Sequence, residues 1–360
     1  MKTPTGWILA MASLCAVQAA LAVRPGQPSS TAEAVCSYRG IAAQHPDPKL
    51  RNPDNLAEKL CGRMGIFPED YAGARRVIDT NGVIFAAYFM INVRTHYIDA
   101  ALKRAVADGA TQVVVLGAGY DSRAYRFREA WPQVNFFEVD LPATSDMKRK
   151  RLAEVFGAVP DYVRYAPIDF DTQRLEDVLP PLGYDPKQRT FFILEGVTMY
   201  LPEDAARETL RFVGAHPPGS GIVFDFVYRA MIDMITRIDM ANIPEAQKPF
   251  VQRFLDLTKN EPWIFGLPVG GEREFLREFG LDVREMFTVG GEDSAKRYLT
   301  RADGTQVGAQ AIAEAMARMA ARAREVANAS PEVQQQMSPE RMREQQRLSA
   351  YHLAEAFVAH

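Results

Sequence analysis

The sequence predicts an α/β protein: a doubly wound, mostly parallel seven-stranded sheet of Rossmann-like type, with N-terminal helices and helical lid insertions. Three observations carry this. Short, continuous apolar runs recur at 112–116, 134–139, 162–168, 190–194 and 221–227, the texture of strands buried on both faces. Helix-like stretches at 145–156, 172–179 and 202–213 separate them, so the units are βαβ with right-handed crossovers. The first run leads straight into Gly117-Ala118-Gly119, a turn at a strand's carboxyl end, where open α/β sheets bind small molecules.

Composition agrees with a globular chain. Its 360 residues are 47% hydrophobic and 24% charged, which excludes disordered, collagenous and multi-span membrane classes. A net charge of -3 (42 Lys+Arg against 45 Asp+Glu) supplies no general field for nucleic acid. The basic run Lys148-Arg149-Lys150-Arg151 lacks interleaved aromatics and reads as a solvated helix face.

Residues 1–22 stand apart. Lys2, the apolar stretch 7–22 and its Ala20-Leu21-Ala22 ending form the pattern of a secretory signal, too short for a stable membrane span. An uncleaved anchor and an apolar extension of a cytoplasmic enzyme are the competing readings, so the compartment stays open. Leu14 is not the small residue expected before a lipidated Cys15. With Cys15 removed, Cys36 and Cys61 remain as an even pair that can bridge in an oxidising compartment; two unpaired thiols are the other reading.

From 23 to 110 the pattern is helical and is expected to cover the active site. Ser30-Thr31-Ala32-Glu33 opens a helix, Asp47-Pro48 and Asn52-Pro53-Asp54 interrupt, and a long run from 71 to 108, in two pieces, ends before Gly109. Residues 111–308 form the α/β core, with a helical insertion near 231–270. Residues 309–349, rich in Ala, Met, Arg and Gln, read as a further helical insertion whose methionines pack rather than bind a cofactor. Strands at 281–289 and 350–358 complete one edge of the sheet, the second within the C-terminal segment 350–360.

Chemistry gathers at four strand ends. A dinucleotide site wants a third glycine three positions after Gly119, and this chain has Ser122 there, so a ligand without pyrophosphate fits better. The second strand ends at Asp140, 23 positions after Gly117, where a carboxylate accepts ribose hydroxyls. The third ends in Asp169-Phe170, a carboxylate beside a ring, suited to adenine. The fourth ends in Leu194-Glu195-Gly196. Each alone also reads as a turn glycine, a helix cap or an exposed acid; their equivalent topological placement points to one nucleoside site.

Leu116-Gly117-Ala118-Gly119-Tyr120-Asp121-Ser122-Arg123, Phe137-Glu138-Val139-Asp140-Leu141-Pro142 and Leu194-Glu195-Gly196-Val197-Thr198-Met199-Tyr200-Leu201-Pro202 together resemble the leucine carboxyl methyltransferase superfamily, and within it the bacterial branch of S-adenosyl-L-methionine-dependent O-methyltransferases. The resemblance covers about residues 29–308 and returns at 351–356. It implies a class I methyltransferase fold, S-adenosyl-L-methionine as cofactor, and methylation of oxygen on a small molecule or a protein carboxylate. It further implies that Arg94 binds the methionine carboxylate, with Gly117 and Gly119 along the methionine, Asp140 at the ribose, Asp169 and Phe170 at the adenine, Glu195 near the cofactor amine and reacting methyl, and Arg39 at the lid.

A sulfonium methyl is already electrophilic, so alignment and water exclusion are the main demands. No metal is expected, since the five histidines show no ligand spacing. A carboxylate acceptor needs no general base and a hydroxyl does; the candidates are Glu195, Tyr200 and His96, unranked. Two alternatives stay open: a nicotinamide-dependent oxidoreductase, and an exported, non-catalytic binding protein on the same fold. Oligomeric state and acceptor are not readable.

Overall fold

Strands β1 (Gln112–Leu116) and β4 (Thr190–Leu194) are buried at every position, as the centre of a sheet covered on both faces requires. The computed structural model describes residues 27–61, 67, 68, 70–80, 82–168, 173–242, 245, 248, 262–289, 292–298, 300–305 and 351–359. The signal-like segment 1–22 and the stretch 309–349 lie outside the described residues.

With β2 (Asn135–Asp140), β3 (Val163–Pro167), β5 (Gly221–Phe226), β6 (Leu281–Val289) and β7 (Tyr351–Val358), the strands form one seven-stranded sheet in the order β3-β2-β1-β4-β5-β7-β6. The pairs β1/β2, β1/β4, β2/β3 and β4/β5 are parallel, while β7 runs antiparallel between β5 and β6. This is the α/β sheet the sequence predicts, with the two strands at 281–289 and 351–358 completing one side of it, the later one inside and the earlier at the edge. Side chains alternate as a period of two demands: Val113, Val115, Phe191 and Ile193 enter one apolar layer, and Val114, Leu116, Phe192 and Leu194 the other.

The first layer is covered by α1 (Ser30–Ala43), α2 (Ala57–Cys61), α3 (Tyr71–Thr80) and α4 (Gly82–Ala107). Ser29 caps α1, its hydroxyl accepting from the Ala32 amide at 3.1 Å. Helix α4 packs against β4, β5 and β6. Its residues Val93, Tyr97, Ala101 and Leu102 face the core, which places Arg94 at the sheet's carboxyl rim. Gly109, at φ 101°, ends this helix as expected. Among the described residues no helix is long and apolar enough to cross a membrane.

Cys36 and Cys61 are joined in a disulfide, with Cα atoms 6.0 Å apart, tying α1 to α2. The pairing that the sequence leaves open is therefore present.

The basic run lies on α6 (Pro142–Phe156), which starts with proline at its first turn beyond the short α5 (Arg123–Arg126). It is not a uniformly solvated face. Helical periodicity turns Lys148 inward, where its ammonium pairs with Glu138 at 2.7 Å, and both side chains are almost fully buried. Arg151 reaches back to Glu33 of α1 at 2.5 Å, and only Arg149 and Lys150 project outward.

Burial pushes the Glu138 carboxyl up to about 7 despite the Lys148 ammonium beside it. Between the ordinary value of 4.5 and about 7, only the folded state holds this proton, so the group's contribution to stability falls as pH rises through that window. Glu138→Leu with Lys148→Met is expected to flatten that slope and to be neutral or stabilising by about 1–4 kcal/mol. Lys148→Ala alone, which leaves an unpaired buried carboxylate, should cost about 3–5 kcal/mol at pH 8. Urea midpoints at pH 5 and pH 8 test both.

Candidate functional site

The loop after β1 turns because its amides are claimed by the neighbouring strand: Gly117 N and Ala118 N both donate to Val139 O, at 2.8 and 2.9 Å. Gly117 (φ 68°) and Gly119 (φ 45°) are left-handed. A Cβ at Gly117 would stand 2.4 Å from Val197 Cγ2, and one at Gly119 3.1 Å from Ala32 Cβ. The two glycines thus let this loop nest between the segment after β4 and the roof helix α1.

Where a dinucleotide fold would have its third glycine, the Ser122 hydroxyl donates to Asp54 Oδ1 at 2.5 Å and accepts from Arg126 Nε at 2.8 Å. Asp121 takes the Arg123 amide at 2.7 Å. The helix start that would hold a pyrophosphate is therefore filled by a carboxylate, which repels one.

Asp140, at the end of β2, accepts the Gly119 amide through Oδ2 and the Leu141 amide through Oδ1 at 2.7 Å. Burial raises its carboxyl above the ordinary value, against the pull of those two amides. Glu195, just beyond β4, stands between two guanidinium groups: Oε1 lies 2.8 Å from Arg94 Nε and Oε2 2.7 Å from Arg123 Nη1. Burial alone would raise this carboxyl, yet Arg123, Arg94 and Arg39 hold it far below the usual carboxylate range.

Arg94 also gives Nη1 to Asp225 Oδ2 and to the Tyr351 hydroxyl, each at 3.0 Å. Burial opposes its charge, but Tyr351, Glu195 and Asp225 together keep it protonated. Asp225 in turn accepts the Gly196 amide at 2.8 Å and the Tyr351 hydroxyl at 2.5 Å. The chain of charge extends the other way as well. Arg123 Nε meets Asp99 at 2.7 Å, Arg126 meets the same carboxylate at 2.7 and 3.0 Å, and Arg39 bonds Asp54 at 2.8 Å and Tyr120 O at 2.7 Å.

Arg39, Arg94, Asp121, Asp140 and Glu195 border a cavity of about 990 Å³ at the carboxyl rim of β1, β2 and β4, while Asp99, Arg123, Asp225 and Tyr351 stand behind its lining. Of the residues expected from sequence, Arg39, Arg94, Gly117, Gly119, Asp140, Glu195 and Tyr200 all line it. His96 does not: it is half-buried on α4, stacked on Tyr298 with ring centres 5.8 Å apart. Asp169 and Phe170 lie outside the described residues. Asp225, Arg123 and Tyr351 were missed. An acid in the apolar run 221–227 was the available signal for Asp225, because a buried charge demands a partner.

Residues 32–214, just over half the chain, match the family model of leucine carboxyl methyltransferase. Among curated proteins, the chain is 35% identical over 199 residues to one from Streptomyces coelicolor and to one from Frankia alni, each named "Putative S-adenosyl-L-methionine-dependent methyltransferase". The alignments cover 53% and 54% of this chain and 66% of each relative, just under two thirds of their length. Among solved structures it resembles one described as "a putative sarcosine dimethylglycine methyltransferase from Galdieria sulphuraria" (TM-score 0.40, 16% identity, 78% of this chain and 89% of that one). It also resembles magnesium protoporphyrin IX methyltransferase from Synechocystis with bound SAH (0.40, 10%, 76% and 88%). On the strength of the family match, with the Gly-x-Gly turn, Asp140 and Glu195 gathered at one rim, the chain belongs to the leucine carboxyl methyltransferase family.

Proposed function

We propose that this protein is an S-adenosyl-L-methionine-dependent methyltransferase acting on oxygen, with a carboxylate as the acceptor. The observation that carries the cofactor reading is the placement of Arg94 and Asp140 on the walls of one cavity, with the Gly-x-Gly turn between them.

The residues present fit such a nucleoside. Asp140 has two lone pairs engaged by amides and keeps further acceptor capacity for ribose hydroxyls. Arg94 offers a cation to the methionine carboxylate, Gly117 and Gly119 leave room beside it, and ionised Glu195 suits the amine. The filled helix start at Asp121 and Ser122 argues against the nicotinamide dinucleotide alternative.

When bound, the cofactor supplies an electrophilic sulfonium methyl, so this chain's work is to orient the acceptor and exclude water. The choice of a carboxylate rests on Glu195. Clamped between two arginines, it is a weak proton acceptor. His216, at the far end of the cavity, is tied to the Tyr184 hydroxyl at 2.5 Å and to Phe212 O at 2.8 Å, and burial lowers its pKa. Of the candidate bases named from sequence, Tyr200 is the other that lines the cavity, and it would be needed only for a hydroxyl acceptor.

Calorimetric titration is expected to show binding of S-adenosylhomocysteine and none of NAD; the reverse result would refute the cofactor reading. Methyl label transferred from S-adenosylmethionine into a cell extract should be released as methanol by mild base, as from an ester. A base-stable label would exclude the carboxylate acceptor. Gly117→Ala forces a left-handed alanine, costing about 1–2 kcal/mol, and drives its methyl into Val197. It should weaken S-adenosylhomocysteine about tenfold or more with unchanged helical circular dichroism.

The disulfide favours a second proposal, on compartment: the mature chain works where thiols are oxidised. Protein isolated from native cells under alkylation should yield the Cys36 and Cys61 peptides linked, whereas alkylated thiols at both positions would reject this. Replacing both cysteines by serine should cost about 3.5 kcal/mol of stability, given a sequence separation of 25.

A further inference from the structure

The last strand enters the sheet in a way that brings a distant residue to the site. Because β7 is antiparallel to β5, pairing His352 with Phe226 and Leu353 with Asp225, its first residue lies at the carboxyl end of β5, on the rim that carries the cavity. There Tyr351 is buried, and its hydroxyl donates to Asp225 Oδ2 at 2.5 Å while accepting from Arg94 Nη1 at 3.0 Å. Asp225 and Tyr351 both fall beyond the span matched by the family model.

The guanidinium of Arg94 is thereby divided among its partners. Nε faces Glu195, Nη1 is shared by Asp225 and Tyr351, and Nη2 has no hydrogen-bond partner among the described residues. Nη2 lies beside Gly196, whose Cβ, if present, would stand 3.7 Å from it. Asp225 meanwhile accepts the Gly196 amide, so one carboxylate sets both the guanidinium and the turn that follows Glu195. Without that hold, the guanidinium edge that faces Glu195 would be free to close a side-on bidentate pair through Nε and Nη2, drawing Nη2 away from the cavity.

We infer that Asp225 and Tyr351 are positioning residues for Arg94, holding Nη1 so that Nη2 is presented to the carboxylate of the cofactor's methionine half. The inference rests on reading the cavity as an S-adenosylmethionine site. It makes the C-terminal strand part of the cofactor's carboxylate recognition, through one hydrogen-bonded relay.

The test compares two ligands on the full chain: S-adenosylhomocysteine, and its decarboxylated form, which keeps the nucleoside, the sulfur and the amine. Calorimetry on the wild type should show a large preference for the carboxylate-bearing ligand. Tyr351→Phe keeps the ring and removes the hydroxyl; it should cut that preference about tenfold while changing the affinity for the decarboxylated ligand less than twofold. Asp225→Asn keeps an acceptor for Gly196 and should act in the same direction, which decides the matter if Tyr351→Phe does not fold. A preference unchanged in the folded variants, or equal weakening of both ligands, would overturn the inference. A wild type that binds neither ligand would instead overturn the cofactor reading on which it rests.

Discussion

Everything at the rim depends on one buried guanidinium, that of Arg94, standing between the carboxylates of Glu195 and Asp225. Removing an ion from water costs several kcal/mol, and the interior tolerates it only when partners with good geometry surround it. Here the compensation is collective. From Arg39 through Asp54, Ser122, Arg126, Asp99, Arg123, Glu195 and Arg94 to Asp225 and Tyr351, each polar group meets the next at between 2.5 and 3.0 Å. The relay starts on the roof helix and ends on the final strand, so the loops it joins cannot shift independently without exposing an unpaired charge.

That arrangement explains which parts of the site were readable beforehand. Gly117, Gly119, Asp140 and Glu195 follow strands whose apolar runs are local signals, so their places at the rim could be read from the strands themselves. The strands 281–289 and 351–358 were equally visible, but no local feature told that the later one would sit between β5 and the earlier. Tyr351 meets Arg94 across 257 residues of chain, and only the topology brings them together. The same limit applies to Arg123 and Asp99, whose pairing at 2.7 Å joins residues 24 apart in the chain. Lys148 was misread for a related reason: a run of four like charges suggests solvent, while an α-helix must turn one of them toward the sheet, where Glu138 waits.

Departure from the dinucleotide pattern at Ser122 also has a physical sense beyond a missing glycine. A third glycine serves close approach of a phosphate to a helix start. Here that helix is four residues long, its first amide is held by Asp121, and Ser122 is bonded to Asp54 from the N-terminal region. The position that would admit a diphosphate instead fastens the roof segment to the cofactor loop.

The roof is thus tied down by bonds within the chain itself. Helix α1 is held to α2 by the Cys36–Cys61 bridge, to the loop after β1 by Arg39 on Tyr120 O, to α6 by Glu33 on Arg151, and by the contact of Ala32 with the Gly119 backbone that a side chain there would disturb. Such a roof need not be ordered by the ligand, and binding energy is not consumed in ordering it. The proposed methyl transfer, which would depend on alignment more than on acid–base chemistry, gains most from a rigid frame of this kind, because a displaced nucleophile loses rate steeply even when every residue is present.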